Sequence, residues 1–141
     1  VRRRGITWAV DVCTYLFFDG NCQEAIDLYV NALGAEVQHL SRFSQAPEFL
    51  RPPNGDHMVF HATLGIGSTT LNLSDDPTKE RGDFGGFALL VHLDREEDVD
   101  QAAKTLAQGG TVNLPPGKTM WANRYAIVTD RFGIVWKLQF S

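Results

Sequence analysis

The chain has 141 residues, 43% hydrophobic and 21% charged, with 13 basic against 17 acidic residues and a net charge of −4. That size and balance fit one folded domain with its own core, offer no basic surface for nucleic acid, and leave no apolar run of the ~18 residues that a membrane helix needs. Two cysteines, Cys13 and Cys22, make neither a disulfide framework nor a zinc site, so a cytoplasmic location is expected.

The first stretch, "VRRRGITWAVDVCTYLFF", imitates a secretory signal, but Asp11 interrupts its apolar part and no small-residue cleavage site follows. Residues 1–9 read as a solvated tail carrying Arg2, Arg3 and Arg4, and "CTYLFF" reads as a strand. In "NCQEAIDLYVNALG" the residues Cys22, Ala25, Ile26, Tyr29 and Leu33 recur at helical spacing. Asn21 and Glu24 suit a capping box, and Gly34 suits the left-handed end. "AEVQHLSRF" is a strand, and "SQAPEFLRPPNGD" is an irregular loop. "HMVFHATLGIGSTTLNLSD" reads as two strands bent at Gly65–Ile66–Gly67.

After the linker "SDDPTKERGDFGG" the order repeats. "FALLVHL" is a strand; "DREEDVDQAAKTLAQGG" is a helix capped by Asp94 with a stripe of Val99, Ala102, Ala103 and Leu106. "TVNLP", "RYAIVTD" and "GIVWKLQF" are strands, with the Pro/Gly-rich loop "PPGKTMWAN" between the first two and a turn at Asp130–Gly133 between the last two. The chain is thus β-α-β-β-β twice, an α+β plan of two modules, about 10–75 and 86–141. Asn21 and Asp94, Ile26 and Val99, and Leu33 and Leu106 superpose at a spacing of 73. A duplication of this kind is an architectural signal in itself.

Each sheet has one face under its helix and one face free, and the two free faces can line a cavity. Alternation puts Leu71 and Leu73, and Ile134, Trp136, Leu138 and Phe140, under the helices; Thr70, Asn72 and Ser74, and Val135, Lys137 and Gln139, take the free faces. In "HMVFHATL", Met58, Phe60, Ala62 and Leu64 form the apolar set, and His57, Val59, His61 and Thr63 the mixed one. On a strand His57 and His61 lie roughly 13 Å apart at about 3.3 Å per residue, so one metal cannot take both.

The segments "YLFFDGNCQEAIDLY", "GAEVQHLSRF", "HATLGIGSTTLNLSD", "FALLVHLD" and "TMWANRYAIVTDRFGIVWKL" resemble the PhnB-like branch of the vicinal oxygen chelate superfamily, which groups glyoxalases, bleomycin-resistance proteins and dioxygenases. The likeness spans most of residues 12–140. It implies paired βαβββ modules forming a cup-shaped sheet, a homodimer, and a small-molecule cavity in the cup. Metal-dependent members of the superfamily carry His or Glu at four cavity-facing positions; aligned on "AIDLY" and "DRFG", these fall on Thr14, Asn72, Phe87 and Lys137. None is a good ligand for a divalent metal, so no metal and no cofactor is expected. The branch also carries a 3-demethylubiquinone methyltransferase label. No Gly-rich strand-to-helix loop supports it, since Gly20 stands alone.

The candidate site is therefore Thr14, His61, Asn72, Phe87, Trp121, Arg124 and Lys137. His61 is the candidate general base, with a structural histidine as the alternative. Trp121 is read as a wall of the cavity or of a dimer seam, and Arg124 as an anion partner or a bridge to Asp130 or Glu36. Lys137 is read as an acid-binding group or a snorkelling rim residue. His57 is expected to be solvated, and His39 and His92 to lie at the surface or rim. Two functions stay open: a metal-free small-molecule-binding dimer, and a glyoxalase- or dioxygenase-related enzyme using His61 or non-standard metal ligands.

Overall fold

The computed structural model describes residues 2–3, 6–7, 10–78 and 83–141. Strand β1 (Arg2–Arg3) pairs antiparallel with β2 (Ile6–Thr7). Part of the stretch expected as a solvated tail is thus a short ribbon, and Arg4 lies outside the described residues.

The first module is β3 (Thr14–Phe18), α1 (Cys22–Leu33), β4 (Glu36–Arg42), β5 (Val59–Ile66) and β6 (Thr69–Asp75). The second is β7 (Leu89–His92), α2 (Glu96–Leu106), β8 (Thr111–Gly117), β9 (Arg124–Thr129) and β10 (Val135–Phe140). Their sheets run β3-β6-β5-β4 and β7-β10-β9-β8. In each, the first strand lies parallel to the last, and the other pairs are antiparallel. This is the duplicated α+β plan that the sequence predicts. No helix among the described residues is long and apolar enough to cross a membrane.

Both helices lie inside. Leu16, Phe18, Ala62, Leu64 and Leu73 of the first sheet meet α1 through Ala25, Ile26 and Tyr29. Ala126, Val128, Trp136 and Leu138 of the second meet α2 through Val99, Ala102 and Leu106. The helices touch each other, so the two modules share one core. Aromatic contacts cross the junction: Tyr29 lies 5.0 Å from Trp136 and Phe18 lies 5.7 Å from Phe132, centroid to centroid. Burying one such Leu or Phe side chain contributes about 2 kcal/mol.

Gly34 closes α1 in the left-handed conformation at φ 65°, its N–H donating to the Val30 carbonyl, as its position predicts. The other end differs from expectation. Asn21 has φ −110° and ψ 20°, makes no side-chain cap bond, and leaves its Oδ1 buried without a partner. Asp75, at the end of β6, supplies the acceptor instead: Oδ1 takes the Gly20 and Cys22 N–H groups at 2.8 and 3.0 Å. Its Oδ2 takes the Val59 N–H at 2.9 Å. Helix α2 begins one residue later than expected, after Arg95 rather than Asp94, and has no side-chain cap. Glu96, Glu97 and Asp98 in its first turn offset the unpaired N–H groups and the helix dipole.

Strand β5 corrects a second reading. Its pairing with β4 shifts between Ser41 and Arg42, so Val59 faces the core, fully buried, rather than the free face. Phe60 leaves the core and packs its ring 5.3 Å from Phe43. Cys22 is also fully buried. Burial pushes its thiol well above the usual range, the Asp75 charge adds to this, and Arg42 partly offsets it, so the group is an inert packing residue.

Candidate functional site

Since both sheets turn their inner faces to one core, their free faces look away from each other. Both are open. Tyr15 and Phe17 on the first are 40% and 45% exposed, and Leu90 on the second is 51% exposed.

On the first face the side chains form a continuous network. The Thr63 hydroxyl donates to Asn72 Oδ1 at 2.9 Å. Its oxygen is then left to accept from His61 Nε2 at 3.3 Å. A neutral imidazole has one donor and one acceptor nitrogen, so Nδ1 accepts from the Tyr15 hydroxyl at 2.8 Å. In that neutral form the ring proton sits on Nε2. The Ser41 hydroxyl donates to the His61 carbonyl at 3.4 Å, and the His39 ring lies 5.5 Å from that of His61. The Tyr15 ring stacks on Phe17 at 4.9 Å and 15°, giving an aromatic shelf beside this polar row. Both ring nitrogens of His61 are therefore engaged, and the group turned toward the face is Tyr15.

On the second face Lys137 sits opposite Leu90 on β7 and Ile127 on β9. Among the described residues it makes no hydrogen bond or ion pair. Tyr125 is two residues along β9 from Ile127, on the same face, and Trp121 meets it edge-on at 5.3 Å. Trp121 itself is 61% exposed on the β8–β9 loop.

Several predicted site residues lie elsewhere. Thr14 shares its side of β3 with Leu16 and Phe18, one position out of register with the free face. It lines a crevice of about 630 Å³ between the edges of β3 and β7, with Leu33, Leu71, Leu93 and Trp136. Phe87 precedes β7, and its ring packs 6.5 Å from Phe84. Arg124 is on the helix side, held by a two-pronged ion pair to Asp100 of α2 at 2.8 and 3.0 Å. It meets neither the free face nor Asp130 or Glu36. His39, expected at the rim, stands beside His61. His57 is exposed and lends only its carbonyl to Arg42, at 2.9 Å. Asn72, His61, Trp121 and Lys137 do lie on or beside the free faces.

The register names what the sequence reading missed. Where the first and last strands of each module pair, Tyr15 stands beside Asn72 and Leu90 beside Lys137. A phenol, an amide, an aliphatic chain and an ammonium do not make a divalent-metal site. Among the described residues no three of His, Cys, Asp and Glu come together as a metal cluster. One signal could have corrected the first strand: Leu71 and Leu73 face the core, so a parallel partner must turn Leu16, and with it Thr14, the same way.

The likeness to known proteins extends over nearly the whole chain. Protein YjdN of Escherichia coli is 29% identical, covering 88% of this chain and 90% of its own. The crystal structure of PA1353 from Pseudomonas aeruginosa is 31% identical with a TM-score of 0.84, covering 94% of this chain and 98% of that one. The PhnB protein of Bacillus cereus, 24% identical, shares the fold at a TM-score of 0.78 over 94% of this chain and 100% of its own. The profile of the Glyoxalase/Bleomycin resistance protein/Dioxygenase superfamily matches residues 10–138, and with the duplicated βαβββ sheets it makes the chain a member of that superfamily.

Proposed function

We propose that this protein binds a small organic molecule without a catalytic metal, and does so as a homodimer. The observation that carries the reading is the disposition of the free faces. Each bears polar and aromatic side chains in the open, the two look away from each other within one chain, and a closed cavity needs a second copy. In the dimer the first face of one protomer and the second face of its partner close a cup. The donor set at Tyr15, Asn72, Leu90 and Lys137 supports a metal-free site. Two unpaired cysteines, one of them exposed, support a reducing, cytoplasmic setting. A methyltransferase reading draws no support from two mixed four-stranded sheets with no Gly-rich phosphate-type loop.

A second reading, an acid–base enzyme, is favoured by the Tyr15–His61 bond. In it Tyr15 meets the substrate and His61 takes the phenolic proton at Nδ1, so the histidine works through the tyrosine. The test is light-scattering mass at micromolar concentration, with metal analysis of protein purified without added metal. A dimer lacking stoichiometric metal is expected. A monomer, or a metal that Asn72→Ala releases, contradicts the reading. Turnover of any compound lost in both Tyr15→Phe and His61→Ala, with folded protein, favours the enzyme.

A further inference from the structure

We infer that the ligand of this cup is a planar aromatic anion, with Lys137 as the anchor for its negative group. The inference rests on the proposed small-molecule cup and names the class of compound it takes.

Charge is the first argument. Histidines aside, Lys137 is the one formally charged side chain on the free-face positions of the second sheet's strands, while the first sheet carries Glu36, opposite Gly65 on its edge strand. Arg124 is turned to α2 and already neutralised by Asp100. Asp75 is on the core side and fully used by backbone donors. Lys137 is half-buried between the aliphatic side chains of Leu90 and Ile127, which cannot solvate it. Covering such an ammonium with a second protein surface removes more of its water, at a cost that only an anion or a set of acceptors offsets. The net charge of −4 makes the whole-protein field unfavourable to anions, so recognition must come from this local contact.

Shape is the second argument. Tyr125 stands diagonally across from Lys137 on the neighbouring strand, and diagonal neighbours on a sheet face lie about 7–8 Å apart. Tyr125 is itself only 6% exposed, so it backs the wall whose open part is Trp121, 61% exposed and edge-on to it at 5.3 Å. The first face offers the stacked Tyr15–Phe17 shelf. Both surfaces suit a flat π-system, and flat rings stack or meet edge-on at 4.5–7 Å. Tyr15 donates its proton to His61, so its oxygen is left as an acceptor for an N–H or O–H on the ligand.

The test is a calorimetric panel: 1-naphthoate, indole-3-acetate and salicylate, each beside its neutral amide, with cyclohexanecarboxylate as the non-aromatic acid. At least one aromatic acid is expected to bind ~10-fold or more tightly than its amide and than cyclohexanecarboxylate, as a charge-assisted contact of this kind implies. Lys137→Met should remove that ~10-fold preference, the acid losing far more affinity than its amide, and Lys137→Arg should restore most of it. Acids that bind no better than their amides, or a preference that survives Lys137→Met in folded protein, overturn the inference. If compounds bind a dimer without regard to charge, the class is wrong and the cup stands. If the protein is a monomer and no compound shifts the backbone resonances of β3, β6 or β10, the cup falls with it.

Discussion

Asp130→Ala should lower the unfolding free energy by about 4 kcal/mol or more, a large share of the ~5–15 kcal/mol that holds a domain of this size. Asp130 is 2% exposed and serves four donors. Oδ1 accepts from the Phe132 and Ile134 N–H groups at 2.9 and 3.1 Å, and Oδ2 from the Tyr29 hydroxyl and the Trp136 indole N–H at 2.7 and 2.9 Å. Alanine strands all four in the core, at about 1–3 kcal/mol for each that water does not reach. Asp130→Asn is no rescue: its amide nitrogen faces two donors, and the indole N–H stays unpaired. Tyr29→Phe removes one donor and leaves the carboxylate served by three, so it should cost only about 1 kcal/mol. Urea midpoints of the three variants measure this order, and an Asp130→Ala protein within about 1 kcal/mol of wild type refutes it. The site matters beyond its own energy, because Tyr29 belongs to the first module and Asp130 and Trp136 to the second.

That bond also has an alkaline signature. Burial, then the adjacent Asp130 charge and the hydrogen bond to it, push the Tyr29 phenol well above its usual value of 10.0. Cys22 is raised from 9.0 by burial and the Asp75 charge. Both groups stay protonated in the folded chain while the unfolded chain ionises, so their stabilisation is full below those values and is lost as pH rises beyond them. Stability should fall by about 1.4 kcal/mol per pH unit above pH 9.0 through Cys22, and twice as steeply above pH 10.0 once Tyr29 joins. Tyr29→Phe should keep the first slope and lose the increment. Denaturant titrations from pH 8 to 11 (~0.5-unit steps) read the difference directly, and equal slopes in the two proteins count against it.

How much of this was legible depends on whether a residue's neighbours in sequence carry the information. Helices α1 and α2 were plain because their apolar stripes repeat with one period over three turns. The duplication was plain because the two stripes superpose. Strand β3 was not: in "CTYLFF" aromatic and aliphatic side chains occupy both faces, so alternation has nothing to contrast, and a slip of one residue put Thr14 where Tyr15 stands. Phe87 was misplaced because β7 has only four residues and a large apolar residue just before it. Arg124 alternates onto a helix-facing position, but its partner Asp100 lies on another element, and no local spacing pairs them. The buried carboxylates are the deepest case. "NLSDD" reads as a strand running into a linker and "VTDRFG" as a turn, and nothing local says that Asp75 and Asp130 turn inward to gather donors from distant strands.

Asp75→Ala should cost about 3–5 kcal/mol and, in any population that stays folded, loosen the candidate site. Its carboxylate gathers the backbone at Gly20 and Cys22, just after β3, and at Val59, which opens β5. These are the two strands that carry Tyr15 and His61. Three N–H groups lose their acceptor, two at the start of α1, where Asn21 offers no side-chain cap to replace it. Asparagine keeps an oxygen for Gly20 and Cys22 but sets an amide N–H against the Val59 N–H, so it should fall between alanine and wild type. Thermal melts give the stability order. The functional half is read from the His61 ring: the proton shared with Tyr15 should exchange with solvent faster in Asp75→Asn than in wild type. An unchanged rate would mean that the Tyr15–His61 pair is held by the sheet alone. A faster one would make Asp75, hidden beneath the sheet, the residue that sets the registration of the face above it.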